Sequence, residues 1–341
     1  TIVMARARRD QARAALAEGI DPARQREQDR IAASIASKNT FGVVASEYIV
    51  RLVSEGVADS TVSKNRWLLQ KLAGPLIDRP IAEITPAEIL AILQRIEKSG
   101  RRDTARRLRG TIGSVFRFAV VTLRAPLDPT HALKGALLKP NVKHRAAITD
   151  ERELGALMTT IDEYDGWQTL RGALLLLALT MTRPGEVRHM RKSEIIFPKA
   201  LWRIPAERMK MRRPFDVPLS TQALAVIREM WDLTPGNGLL LPSIRSHTKP
   251  LSENAMNSAL RRMGYTKDEV TAHGFRSSAS TILNERGFDN DVIEAALAHQ
   301  DEDEVRRAYN RAAYLTERTS LMQQWADLLD DFRQEALRKA G

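Results

Sequence analysis

The sequence predicts a mainly α-helical chain of more than one domain, with one small antiparallel β-sheet in its second half. Three observations carry that expectation. Residues 40–125 place apolar side chains at helical spacing almost without interruption, and a proline-bearing basic stretch follows at 126–146. Beyond it, "IIFPKALWRIP" and "PFDVPL" alternate as short strands among helical runs. At 341 residues and 43% hydrophobic content, the chain can bury two or three separate cores. It has no cysteine, which excludes disulfides, thiolate metal sites and a cysteine nucleophile, and fits a reducing cytoplasm. The most apolar run, "GALLLLALTM", falls well short of the ~20 residues a membrane span needs. No signal peptide is visible, and a chain opening on Thr1 is expected to lack its native N-terminus.

Residues 4–36 are rich in Ala, Arg, Gln and Glu and read as helix, interrupted at "EGIDPAR" by Gly19 and Pro22. With little apolar content, this segment is an arm or a linker. In the all-helical stretch that follows, "TPAEIL" supplies Thr85 as N-cap, Pro86 at the first helical position and Glu88 to close a capping box. Trp67, Leu68 and Leu72 are expected to form one core stripe. From 101 onward, Ala105, Leu108, Ile112, Val115, Phe116 and Ala119 share a helical face, with Arg101, Arg102, Arg106 and Arg109 largely off it. Such a helix turns its back to a core and its front to something anionic.

Charge distribution names the anion's class. The net charge is +11, and residues 101–145 hold 11 Lys and Arg against only Asp103 and Asp128, so +9 of the excess lies there. A focused basic stripe points to nucleic acid; a solvated basic face is the plain alternative. A membrane surface fits less well, because the apolar residues opposite the charges read as core positions. Pro126, Pro129 and Pro140, with interspersed lysines, make 126–146 a basic linker. A second domain opens at "ITDERELGALM" with Thr149 or Asp150 as cap, and 168–182 is a buried helix. The expected strands flank "AERMKMRR", a polar basic turn, and 221–333 reads as helices separated by Gly and Pro. No internal repeat is evident.

Candidate chemistry gathers in this second domain. Arg183 follows the buried helix, where a guanidinium is costly without an anionic partner, and Glu186 is placed to hold it. Lys210 sits in the turn between strands; His273 and Arg276 lie one helical turn apart at a helix start; His299 ends "IEAALAH"; Tyr309 lies in "RRAYNRAAY". Each has an ordinary reading: a structural Arg–Glu pair, a solvated lysine, surface residues, a helix C-cap, a core aromatic. Together they suit attack on a phosphodiester. Two guanidinium forks can hold nonbridging oxygens bidentately, a phenol can be the nucleophile, and a lysine or histidine can protonate the leaving sugar oxygen. Built-in cations make a metal unnecessary, and neither carboxylate clustering nor histidine spacing suggests a metal site.

The ordered set Arg183, Lys210, His273-x-x-Arg276, His299 and Tyr309 resembles the catalytic set of tyrosine recombinases, and most of all the integrases of prophages and genomic islands. Supporting text is "TRPGEVRHM", "ERMKMRRP…VPLS", "TAHGFRSSASTILNERGF", "IEAALAH" and "VRRAYNRAAYLTERTSLMQQWADLL", so the likeness spans about residues 5–333. It implies four parts. Residues 1–39 would be the remnant of an arm-binding domain or linker, 40–125 a helical core-binding domain, 126–146 the linker, and 147–341 the catalytic domain with a C-terminal helix. The two larger domains would form a C-shaped clamp on DNA. In the chemistry implied, Tyr309 attacks the scissile phosphate to leave a 3′-phosphotyrosine and a free 5′ hydroxyl. Arg183 and Arg276 clamp the phosphate, Lys210 protonates the leaving oxygen, His273 takes up the tyrosine proton, His299 bonds the phosphate and Glu186 orients Arg183. Arg101, Arg102, Arg106, Arg109, Arg212 and Arg213 are the expected DNA contacts.

Implied partners are double-stranded attachment sites, a homotetramer on DNA, whether or not the free protein is a monomer, a DNA-bending host factor and an excisionase. No cofactor and no membrane are implied, and the setting is bacterial cytoplasm, at the nucleoid. The amphipathic helix bearing Leu321, Trp325, Leu328 and Phe332 is one that, in the family, often docks its end on a neighbouring protomer. The sequence departs from related integrases at Phe215 and Asp216, where a histidine and an apolar residue are frequent, and at Lys192, where tryptophan is common. A non-catalytic DNA-binding regulator on the same fold and a type IB topoisomerase are the rival functions. The filled catalytic set speaks against the first, and the helical core-binding domain and "LAH" before Tyr309 speak against the second.

Overall fold

In the computed structural model, the residues described are 2–17, 21, 23–24, 27, 30, 38–140, 146–209, 213–236, 238–298 and 314–340. The chain separates into two compact units, Thr1–Val142 and Lys143–Gly341. Both are dominated by helices, as the patterning predicts, and the sheets among the described residues are two, small and antiparallel, where one was expected.

The first unit carries the helices Ile2–Ala17, Phe41–Ser54, Asp59–Trp67, Pro86–Lys98 and Arg102–Val121. Thr85 and Glu88 form the expected reciprocal cap: the Thr85 backbone N–H donates to the Glu88 carboxylate at 2.8 Å, and the Glu88 N–H donates back to the Thr85 hydroxyl at 3.4 Å. The Thr85 N–H, and next the Thr85 hydroxyl donating to the same carboxylate at 2.9 Å, hold the Glu88 carboxyl below its usual range. Ala105, Leu108, Ile112, Val115, Phe116 and Ala119 are all inside, packed on Phe41, Val44 and Leu93. Trp67 departs from expectation and is 43% exposed. A π-helical turn follows at Leu68–Leu72, which shifts the helical phase so that Leu68 and Leu69 face the core instead.

Residues expected within the linker pack on this unit up to about 138. Leu133 and Thr130 are buried, Asp128 accepts from the Arg117 guanidinium at 2.9 Å, and the Leu138 N–H donates to Glu97 at 2.7 Å. Gly113 allows the approach, since a Cβ there would lie 2.5 Å from the Thr130 hydroxyl.

The second unit is built around the helix Gln168–Thr180, buried along almost its whole length. Helix Glu151–Asp162 is capped by Asp150, whose carboxylate accepts from the N–H groups of Arg152 and Glu153 at 3.0 Å. Strands β1 (Ile195–Ile196), β2 (Leu201–Ile204) and β3 (Phe215–Pro218) form one antiparallel sheet in chain order. A second hairpin, Pro242–Ser243 with Ser246–Pro250, interrupts the region expected to be purely helical. Its sequence, "PSIRSHTKP", has no apolar alternation to betray it.

The remaining helices are Thr221–Leu233, Ala255–Arg262, Gly274–Glu285, Asn290–Ala296 and Leu315–Ala340. The last of these seats its apolar face on its own unit. Leu321, Trp325, Leu329 and Phe332 are buried, and the Trp325 indole N–H donates to the Ala178 carbonyl at 2.9 Å. Helix Glu151–Asp162 comes so close that a Cβ on Gly155 would meet the Phe332 carbonyl oxygen at 2.2 Å.

Candidate active site

The buried helix Gln168–Thr180 stops because Met181 turns left-handed, at φ 52°. A methionine in that region is strained, and such strain concentrates where a backbone group is being aimed. Here the Met181 carbonyl accepts a hydrogen bond from the Arg276 guanidinium. Pro184 then opens the short helix Pro184–Arg188, with Arg183 just before it. Glu186, three residues on and nearly buried, accepts from both ends of Arg183: from its backbone N–H at 2.7 Å and from a guanidinium nitrogen at 2.9 Å. Glu186 thus pairs with Arg183 through both its carboxylate oxygens.

Arg276 reaches the same place from the helix Gly274–Glu285. It is 9% exposed, and its second guanidinium nitrogen donates to the Leu297 carbonyl at 2.6 Å. Arg183 donates to the adjoining carbonyl, that of Ala298, at 3.4 Å, and Ala298 is also left-handed, at φ 50°. Two guanidiniums from different elements therefore meet at residues 297–298. Burial, and next the charge of Arg183, push the Arg276 pKa down to about 10, while Glu186 and Glu294 support its charge. It remains cationic at neutral pH. Gly274 lets the helix start pack tightly, since a Cβ there would lie 2.2 Å from the Ala146 carbonyl oxygen. His273, half-buried, stands at that helix start one turn from Arg276.

Lys210, His299, Tyr309 and Arg212 lie outside the described residues. Their chain neighbours Met209 and Ala298 are described: Met209 is buried in the core, and Ala298 borders the two arginines. Of the expected DNA contacts, Arg101, Arg102, Arg106 and Arg213 are exposed and Arg109 is half-buried. Arg101 donates to the Ser99 hydroxyl at 3.0 Å. Among the described residues, no three His, Asp or Glu side chains converge as a metal site would require, and no helix is long and apolar enough to cross a membrane.

Several residues absent from the sequence reading shape this region. Glu194, nearly buried, accepts from the Trp202 indole N–H at 2.9 Å, from the Arg191 N–H at 3.2 Å and from the Arg208 guanidinium at 2.5 Å. Arg208 also donates to the Glu186 carbonyl at 2.6 Å. Its sequence signal was weak, an arginine in a basic turn; the clue was the nearby Trp202, whose buried indole N–H needs an acceptor. Arg318, on the last helix, donates to the Asp216 carbonyl and stacks over Phe215 with its guanidinium carbon 4.8 Å from the ring centre. Phe215, one of the departures noted above, is thereby an anchor for that helix. Lys192, another departure, is buried. Its ammonium donates to the carbonyls of Trp231 and Thr234, at 2.9 and 2.6 Å, at the end of the helix Thr221–Leu233, and burial lowers its pKa.

Comparison with known proteins adds independent findings. Residues 148–315 match the phage integrase family, and residues 41–136 match the phage integrase central domain. The chain is 37% identical to the prophage integrase IntA of Escherichia coli K12 over 328 residues, covering 95% of this chain and 78% of that protein. It is 34% identical to the integrase of Enterobacteria phage P4 over 346 residues, covering 97% and 78%. In three dimensions it is similar to lambda integrase, solved as a tetramer bound to a Holliday junction, with a TM-score of 0.63, 20% identity and coverage of 80% and 82%. It is also similar to the Tn1549 transposon integrase, solved with circular intermediate DNA, with a TM-score of 0.60, 12% identity and coverage of 82% and 98%.

Proposed function

The chain belongs to the phage integrase family and is a site-specific recombinase of the tyrosine type, and we propose that it breaks and rejoins DNA through Tyr309 to integrate and excise a mobile element. The observation that carries this reading is the meeting of Arg183 and Arg276 at residues 297–298, the second of them buried. Glu186 balances one of the two charges, so the arginine pair keeps a positive excess, and a phosphodiester fits two guanidinium forks.

In the proposed reaction the Tyr309 phenolic oxygen forms a bond to the scissile phosphorus, and the bond from phosphorus to the 5′ oxygen breaks. His273 takes up the phenolic proton. Lys210 gives a proton to the departing 5′ oxygen, while Arg183, Arg276 and His299 bind the nonbridging oxygens, where charge develops. The phosphotyrosine ester keeps the energy of the broken bond, and a 5′ hydroxyl from the partner strand reverses the step to reseal DNA. Glu186 holds Arg183 in place throughout.

By the same reading, 1–39 is an arm-domain remnant or linker, 40 to about 138 the core-binding domain, the residues from there to 146 the linker and 147–341 the catalytic domain. Arg101, Arg102, Arg106 and Arg109 contact phosphates from the first unit, and Arg212 and Arg213 from the second. Support for DNA as partner comes from the family and from the DNA-bound state of the similar lambda and Tn1549 integrases. A tetramer on paired attachment sites, a DNA-bending factor, an excisionase and a setting at the bacterial nucleoid complete the proposal.

The test is a supercoiled plasmid carrying two attachment sites. Exchange of the flanking segments is the expected result. Relaxation without exchange would make the protein a topoisomerase, and tight binding with neither outcome would make it a regulator.

A further inference from the structure

We propose that Arg208 is a positioning residue for the leaving-group proton donor, acting by tying the turn that carries Lys210 to the helix that carries Arg183. The inference rests on the general-acid reading of Lys210 given above. Arg208, at the start of that turn, reaches across to both Glu194 and Glu186. One guanidinium nitrogen sits on the Glu194 carboxylate, 2.5 Å from one oxygen, and the other donates to the Glu186 carbonyl at 2.6 Å. Glu186 in turn holds Arg183 at 2.7 and 2.9 Å. Glu194 is itself fixed to strand β2 through the Trp202 indole, 2.9 Å away, and Trp202 is fully buried.

The pairing is not an ordinary surface ion pair. The Arg208 side chain is 18% exposed and that of Glu194 is 7% exposed, so neither has water as an easy substitute. Met209, the next residue, is 8% exposed and packs in the core of the second unit. Two consecutive residues are thus pinned, one to the phosphate-clamp helix and one to the core, immediately before Lys210 in the chain. A flexible four-carbon lysine can deliver a proton to one oxygen only if its backbone is held within a fraction of an ångström of the right place. Arg208 is placed to supply that restraint to the residues just before Lys210, and through the Glu186 carbonyl it joins them to the element that holds Arg183. Arg208 itself touches no reacting atom in this scheme.

The experiment compares two nicked duplex substrates, identical except that the second carries sulfur in place of the bridging 5′ oxygen at the scissile phosphate. A thiolate departs without needing a proton, so a defect confined to protonation disappears on the sulfur substrate. First-order cleavage at saturating protein is measured for the native protein and for Arg208→Ala, Arg208→Lys, Glu194→Gln, Lys210→Ala and Arg183→Ala, with DNA affinity measured separately. Arg208→Ala is expected to slow cleavage of the ordinary substrate by about 10²-fold, with affinity changed by no more than about threefold. On the sulfur substrate its rate should return close to native, as should that of Lys210→Ala.

Arg208→Lys and Glu194→Gln should show the same rescue from a smaller defect, which keeps the test decisive if the alanine variant folds poorly. Arg183→Ala should stay slow on both substrates, because its loss falls on the phosphate itself. If Lys210→Ala is rescued while the Arg208 and Glu194 variants are equally slow on both substrates, or are not slow at all, the positioning role is overturned and the proton-donor reading survives. If Lys210→Ala is not rescued, the proton-donor reading fails and this inference fails with it.

Discussion

Replacing Glu186 by Gln tests how the arginine clamp is held. The carboxylate accepts two hydrogen bonds from Arg183, at 2.7 Å from its backbone and 2.9 Å from its guanidinium. Glutamine keeps one acceptor oxygen and turns an NH2 toward the other donor, so one of the two bonds is lost and two donors face each other. A hydrogen bond to a charged group contributes about 1.5–3 kcal/mol, and each 1.36 kcal/mol on the barrier is tenfold in rate. Misplacement of Arg183 in the transition state is therefore expected to slow cleavage by roughly 10- to 150-fold. The substitution also removes a negative charge that supports the buried Arg276. The assay is single-turnover cleavage of a nicked duplex at saturating protein, with gel-shift affinity in parallel. Cleavage within about twofold of native, with normal binding, would refute the claim that Glu186 sets the clamp.

Three further outcomes are expected. Gly155→Ala would put a Cβ 2.2 Å from the Phe332 carbonyl oxygen, and at about 1–3 kcal/mol for overpacking it should lower Tm by several degrees; an unchanged Tm would contradict the close seating of the last helix. Arg106→Ala should flatten the salt dependence of duplex binding by about one phosphate contact, a slope change near 0.9, and an unchanged slope would remove Arg106 from the interface. Asp216 accepts from Arg203 at 2.8 Å through both carboxylate oxygens, which holds its carboxyl below the usual range. Its stabilisation is therefore present above roughly pH 4 and lost as pH falls through the depressed folded value. Because the pair is partly solvated, with Arg203 53% exposed, Asp216→Asn should lose no more than about 1 kcal/mol near neutrality. Its Tm should converge with native as acid protonates the folded carboxyl, and a gap that widened in acid would contradict this.

What could be read from the sequence follows the range of the interactions involved. The core face of Arg102–Val121, the Thr85–Glu88 cap, the buried helix before Arg183 and the Arg183–Glu186 pair all lie within four residues, where helical periodicity and capping chemistry speak directly. The hairpin Pro242–Pro250 was hidden because its residues are mostly polar and mostly exposed, which leaves no alternation to detect. Trp67 was misplaced by a π turn, a change of phase that no period of 3.6 foresees. In the site, the arginines were legible as residues but their anchors were not. Met181, Leu297 and Ala298 act through backbone carbonyls, which any side chain could carry. Arg208 meets Glu194 and Glu186 across 14 and 22 residues, and Arg318 meets Asp216 across 102. Such pairings appear only once the sheet and the last helix are folded.

The most direct test of the central claim is covalent capture. Native protein and Tyr309→Phe are each incubated with nicked duplexes spanning the ends of the element, then run on a denaturing gel. The account predicts a protein–DNA adduct with the native protein alone, its DNA joined through a 3′ phosphate at one defined position. An adduct of equal yield with Tyr309→Phe, or none with either despite tight binding, would contradict it.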